Sequence, residues 1–313
     1  MLGYAVRRLL MAVPVMGVVA LVVFSLLYFT PGDPAQVLAG DTATPEQIAK
    51  IRTSLGLDEP PHLRFARWLW RTVQGDLGAS IFSGESVMHM IGQRLQPTFS
   101  LLLLAVLISI GIGVPFGVAA AARRGSWPDR ALTVFTTLGF SLPAFIAGYG
   151  LAFLFATTLK WLPVQGFVPL SEGLQPWLRN LILPAMTLSL VYSAIIGRVT
   201  RASMLEVLSE DYIRTARAKG VAPRRVLFHH ALRNAAVPVI TIIGIGVATL
   251  IGSAVITENV FAIPGVGRLI VDAILHRDYP IIQGVVLLLS AAYVLVNVAV
   301  DLCYTFLDPR IRY

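Results

Sequence analysis

Glu210-Asp211-Tyr212-Ile213-Arg214-Thr215-Ala216-Arg217-Ala218-Lys219-Gly220-Val221-Ala222-Pro223-Arg224-Arg225 is a basic, polar stretch set between two apolar runs, residues 180–197 before it and 236–257 after it. A helical run of roughly 20 apolar residues spans the ~30 Å hydrocarbon core of a bilayer. The insert from Arg198 to Pro238 therefore reads as a loop between two membrane spans. Working outward, similar runs occupy about 9–29, 98–122, 131–158 and 281–304. Backbone polar groups inside lipid must be satisfied within their own segment, which makes these runs helices. Barrel strands would alternate over about ten residues instead. The expected fold is an all-α membrane protein, a polytopic bundle of six transmembrane helices with a long exported loop after the first. Its expected parts are residues 1–29 (tail and first helix), 30–96 (exported loop with amphipathic helices) and 97–313 (transmembrane core with a cytoplasmic loop at about 198–235).

Composition agrees. Of 313 residues, 56% are hydrophobic and 13% charged, with mean hydropathy +0.74; soluble domains carry about 25% charged residues. Arg7 and Arg8 flank the first run as they would in a signal peptide. The run from Leu9 to Phe29 exceeds a usual signal core and no small-residue cleavage site follows, so a retained helix is expected. A twin-arginine export signal is disfavoured by the spans that follow.

Charge gives the orientation. With the N-terminus inside, the inner segments hold 15 of the 25 basic residues against six of the 17 acidic ones. That bias sits mainly in the short loops around 123–130 and 198–233, where the positive-inside rule applies. Both termini are therefore expected in the cytoplasm. The same charge attracts anionic lipid, so a pI near 10 is no argument for nucleic acid. Cys303 is the single cysteine, which leaves no intrachain disulfide and no thiolate metal site.

Within 30–96, Thr44-Pro45-Glu46-Gln47 is a capping box with proline at the first helical position, followed by Ile48, Ile51, Leu55 and a Gly56 stop. A second amphipathic segment puts Phe65, Trp68, Leu69 and Thr72 on one face, and a third, Glu85–Leu95, groups Met88, Ile91 and Leu95. Packing on the bundle, lying in the headgroups, with Trp68 and Trp70 suited to the interface, and docking another protein are all open readings. In the basic loop, Leu205, Leu208, Tyr212 and Ala216 form a stripe, Glu210 precedes Arg214 by four residues, Lys219 sits in a last helical turn, Gly220 ends the helix and Pro223 starts the next. Two short helices joined by a small-residue corner at Gly220–Ala222 are expected, a shape another protein can approach closely.

This loop resembles the cytoplasmic coupling loop of permease subunits in binding-protein-dependent ABC importers. Thr30-Pro31-Gly32-Asp33-Pro34-Ala35, Leu55-Gly56-Leu57-Asp58-Glu59-Pro60, Gly75-Asp76-Leu77-Gly78-Ala79-Ser80, the run Asn259-Val260-Phe261-Ala262-Ile263-Pro264-Gly265-Val266-Gly267-Arg268 and the tail Leu307–Arg312 look like segments of the dipeptide/oligopeptide branch. The family's Glu-Ala-Ala falls on Arg214-Thr215-Ala216, so its acidic position is basic here, and Pro238 is displaced; both look like branch features. The resemblance implies coupling residues Arg214, Thr215, Ala216, Arg217, Ala218, Lys219, Gly220, Val221 and Ala222. It also implies a multi-pass protein of a prokaryotic cytoplasmic membrane, with a second homologous permease, two cytosolic ATPases and an external solute-binding protein as partners. The chain itself would be no enzyme and bind no cofactor, ATP and Mg residing on the ATPases. Peptides are the implied substrate, with nickel, glutathione or haem as alternatives within the family.

Polar and kinking residues within spans mark a substrate pathway: Ser141 and Pro143 in the third, Thr249 and Ser253 in the fifth among its small residues, and Asn297 in the last. Helix packing is the competing reading for each. Glu258, Asn259, Gly265 and Gly267 are expected at an outer gate, with a plain structural turn as the alternative. No phosphate-binding Gly-x-x-x-x-Gly-Lys-Ser/Thr, no Gly-x-Ser-x-Gly and no His-Glu-x-x-His occurs. His229 and His230 are adjacent and point apart, so no metal site is expected. A secondary transporter would more often carry acids at mid-membrane, whereas Asp301 lies near a span end within reach of Arg310. A membrane-embedded enzyme would need a catalytic pair that the spans lack.

Overall fold

With no water to satisfy the backbone in lipid, helices carry the chain. The computed structural model describes residues 2–29, 34–40, 43–54 and 56–307. Residues 30–33 of the first family-like segment, Leu55, and the tail with Arg310 lie outside the described residues. Two compact units form. One takes in Gln96–Arg268 and the chain from Leu295 onward, the other Leu2–Leu95 and Leu269–Val294.

In the second of these, α1 (Leu2–Phe29) is followed by α2 (Pro34–Ala39), α3 (Pro45–Ser54) and α4 (Pro61–Val73). The capping box of α3 is reciprocal. Thr44 N–H donates to Gln47 Oε1 at 2.9 Å, and Gln47 N–H donates to Thr44 Oγ1 at 3.4 Å. Gly56 follows at φ +62°. α4 turns its expected face onto α1: the Phe65 and Trp68 rings lie 5.2 and 5.5 Å from that of Phe24, while Trp70 stays exposed. Within this unit α4 thus packs on α1. The family-like Gly75–Ser80 stretch is irregular after a turn at Gly75, with Gly78 N–H donating to Asp76 Oδ1 at 2.9 Å and Ala79 bridging Ser86. It ends on Ser80, whose hydroxyl donates to the buried Asp278.

α5 (Val87–Ala122) is one unbroken helix of 36 residues, about 54 Å at 1.5 Å per residue. It absorbs the third amphipathic segment, Glu85–Leu95, expected as a separate element of the loop. The other unit then contains α6 (Trp127–Ser141), α7 (Ala144–Leu151) with a π-helical turn (Ala152–Thr158), α8 (Leu174–Leu208), α9 (Asp211–Ala218) and α10 (Pro223–Arg225). α10 runs through a second π-turn (Val226–Ala231) into α11 (Leu232–Val260). α12 (Val266–His276) and α13 (Tyr279–Leu307) complete the described chain. α8 packs on α6, α7 and α11. Leu101 of α5, Leu181 and Ile196 of α8, Leu250 of α11 and Phe261 form the buried centre.

Among the described residues five helices are long and apolar enough to cross a membrane: Leu10–Phe29, Val87–Ala122, Leu174–Leu208, Pro223–Val260 and Tyr279–Leu302. The expected third span, 131–158, is instead two half-length helices bent by 107°, giving six crossings if the pair counts as one. Pro143 is the physical cause. Its ring disfavours helical backbone at the preceding residue, and Leu142 is extended at φ −96°, ψ 121°.

Candidate functional site

The loop expected as two short helices is narrower than its sequence limits. α8 continues to Leu208, and the helix opened by Pro223 continues through α11 to Val260. What remains is α9, eight residues long. The expected stripe holds in part: Leu205 and Leu208 pack against the inner cluster and Ala216 is half-buried, but Tyr212 is exposed, because α9 starts afresh after Ser209 and Glu210. Ile213 takes the inward position instead and is fully buried. It packs in a cluster with Val118 and Ala121 of α5, Met204 of α8, and Val226, Ala231 and Ala235. Burial of one such side chain stabilises by about 1.5–3 kcal/mol. Glu210 takes the position before the first turn of α9 without a side-chain cap bond, and the ion pair with Arg214 comes from Asp211, at 3.2 Å. The Tyr212 hydroxyl accepts from Asn234 Nδ2 at 2.7 Å, a second tie to α11.

The corner itself forms as expected. Gly220 has φ +76°; its N–H donates to Arg217 O at 3.0 Å, and Val221 N–H donates to Ala216 O at 3.1 Å. These two bonds satisfy carbonyls that a helix end leaves open, in the Schellman pattern. Pro223 then occupies the first position of α10. Arg214, Thr215, Arg217, Ala218, Lys219, Gly220 and Ala222 are exposed, with Ala216 and Val221 half-buried. An exposed basic rim thus surrounds a corner whose underside is fixed by Ile213.

A further tie was not legible in the sequence. Asp129, near the start of α6, pairs with Arg201 of α8: Nη2 donates to Oδ2 at 2.9 Å and Nε donates to Oδ1. Gly125 N–H donates to the same carboxylate at 2.8 Å. This bidentate clamp ties the start of α6 to α8, the helix that leads into α9. An acid within an otherwise basic short loop was the available signal.

The expected gate residues divide. Glu258 is fully buried at the end of α11. Thr98 Oγ1–H donates to its Oε1 at 2.6 Å, and Arg268 N–H donates to Oε2 at 3.1 Å. Gly265 and Gly267 lie against that carboxyl; a Cβ on Gly267 would come within 2.6 Å of Val255 Cα. Asn259 is exposed and donates back to Val255 O at 2.8 Å. Thr98, far from Glu258 in the chain, joins this cluster with no local sequence pattern to announce it.

The expected pathway residues stay dispersed. Ser141 and Pro143 flank the α6–α7 break and are exposed, as is Thr249; Ser253 and Asn297 are half-buried. The Thr249 and Ser253 hydroxyls donate along their own helix, to Ile245 O at 3.1 Å and Thr249 O at 3.3 Å. The small residues of α11 serve two purposes. Gly246 admits the Tyr192 ring, whose hydroxyl donates to Ile242 O at 2.9 Å, so this glycine is packing. Ile245, Thr249, Gly252 and Ile256 form an uncovered face at helical spacing. His229 and His230 lie in the second π-turn with rings at 89°, and no group of metal-ligating side chains assembles among the described residues.

Comparison with known proteins fits this arrangement. Residues 113–313 match the family described as binding-protein-dependent transport system inner membrane component, and residues 1–102 match the N-terminal model of the same systems. A probable peptide ABC transporter permease of Sinorhizobium fredii is 53% identical over 99% of both chains. A putative peptide transport system permease of Brucella abortus is 46% identical over 100% of both. The glutathione transport system permease GsiC of Salmonella paratyphi A is 42% identical, again over 100% of both. A chain of the MetNI methionine ABC transporter, solved in inward-facing conformations, shares the fold with TM-score 0.58 at 17% identity, covering 71% of this chain and 97% of that one. The chain belongs to the binding-protein-dependent transport family as an inner membrane component, the permease subunit of an ABC importer.

Proposed function

We propose that this permease carries peptides inward across the cytoplasmic membrane of a bacterium, together with a second homologous permease, two cytosolic ATPases and an external binding protein. ATP and Mg are handled by the ATPases; no step of hydrolysis falls to this chain. The N- and C-termini and α9 face the cytoplasm, in keeping with the basic bias of residues 123–130 and 198–233. The observation that carries the reading is α9 itself, fixed beneath by Ile213 and presenting Arg214, Arg217 and Lys219 around the Gly220 corner. A helix held this way moves as one body with α5, α8 and α11, so closure of an ATPase dimer against it is passed to the spans. The uncovered face of α11, with Thr249 beside Gly252, and the α6–α7 break at Ser141 and Pro143 suit the wall of the pathway, with Asn297 nearer the end of the chain. The cluster of Glu258, Gly265 and Gly267 suits an outer gate beside Asn259.

Peptide relatives at 53% and 46% identity favour peptides over the glutathione system at 42%. Uptake of labelled dipeptides, longer peptides and glutathione in cells with and without this gene tests the assignment. Loss confined to peptides is expected. Loss confined to glutathione would move the substrate to that alternative.

A further inference from the structure

An importer needs an outer end that stays shut at rest, and the Gly265–Arg268 turn carries a means of shutting it. The fully buried Glu258 carboxyl accepts from Thr98 Oγ1–H at 2.6 Å and from Arg268 N–H at 3.1 Å. Thr98 Oγ1 in turn accepts from Val266 N–H at 2.9 Å. A continuous chain of hydrogen bonds thus joins α5, α11 and the first turn of α12, satisfying N–H groups that a helix start leaves open. Parting a buried carboxyl from such donors costs the desolvation penalty unless it is satisfied again. The bonded cluster is dry, and parting it would leave polar groups that need new partners. The glycines on either side make the bonded one fit closely: a Cβ on Gly267 would sit 2.9 Å from Glu258 Oε2. We propose that Glu258 and Thr98 are positioning residues that latch this turn shut, and that parting the latch is a step of outward opening. The proposal rests on the importer reading above.

The test uses the purified, assembled complex of this chain with its partner permease, ATPases and binding protein. It compares Thr98→Val, Thr98→Ser and Glu258→Gln by the ATPase rate without binding protein relative to the rate with saturating, substrate-loaded binding protein. In alternating access the outward-open form is the one in which the ATPases close, so weakening the shut form shifts the population toward hydrolysis. Thr98→Val should raise the unstimulated rate about fivefold or more, the lower range of typical coupling between sites. Thr98→Ser, which keeps the hydroxyl, should restore the wild-type ratio. Glu258→Gln puts an N–H₂ group against a donor and should shift the ratio at least as far as Thr98→Val. An unchanged ratio in Thr98→Val and Glu258→Gln complexes, with only lower yield or thermal midpoint, would overturn the latch and leave an ordinary staple. A wild-type complex that ignores its binding protein would overturn the importer reading itself, and the latch with it.

Discussion

Gly220 sits at φ +76° with open space where a Cβ would point. Any effect of substitution on the isolated chain therefore comes from backbone strain. Left-handed backbone costs an ordinary residue about 1–2 kcal/mol, and a β-branched one more. Gly220→Ala should keep the Val221-to-Ala216 bond at a cost near the lower figure and transport at a reduced rate. Gly220→Val should insert into the membrane in normal amount but lose ATP-driven uptake, because it both distorts the corner and holds the ATPase surface away. Quantitative membrane immunoblots alongside uptake check this, and normal uptake by Gly220→Val would remove Gly220 from coupling. Gly220 was legible in the sequence because a left-handed helix stop followed by proline has a local signature. Ile213 was not. Which residue of α9 points inward depends on where α8 stops, and the break at Ser209 and Glu210 carries no glycine or proline to announce it.

Among the elements, the join of α6 to α8 by Asp129 and Arg201 is the least expected and the most readily tested. The carboxylate takes two bonds from the guanidinium and one from Gly125 N–H, with the Asp129 side chain 10% exposed and Arg201 30%. Removing one partner of such a charge pair leaves the other poorly satisfied, at about 1–3 kcal/mol for this partly exposed site. Asp129→Ala and Arg201→Ala should each lower the thermal midpoint of the purified chain. The exchanged pair Asp129→Arg with Arg201→Asp should recover part of the loss, a coupling that independent sites would not show. Strictly additive losses would reduce the clamp to a surface contact. Spans were legible from their apolar length alone, and the α3 cap from four residues. The size of the bend at Leu142 is not legible, because Pro143 announces a disruption without its angle; α7 packs on α8 and α11 beyond it. Pairings such as Thr98 with Glu258 or Ser80 with Asp278 join residues far apart in the chain, and no local pattern announces them.

For the whole molecule, the apolar spans and the family agree on a multi-pass membrane permease. Reporters fused after Gly40 or Gly166 should register the exported side, and those after Gly125 or Gly220 the cytoplasm; a cytoplasmic signal at Gly40 would contradict the proposed orientation. The Glu258 cluster and the α9 corner would then lie toward opposite sides of the membrane, as alternating access requires. The central claim is that this chain moves peptide inward under the drive of ATPases it does not itself contain. Its most direct measurement is accumulation of a labelled peptide by proteoliposomes holding this chain, its partner permease and the ATPases, with binding protein and ATP each supplied or withheld on its own side. Accumulation that requires both is the predicted result, and accumulation driven by an ion gradient with the ATPases absent would contradict it.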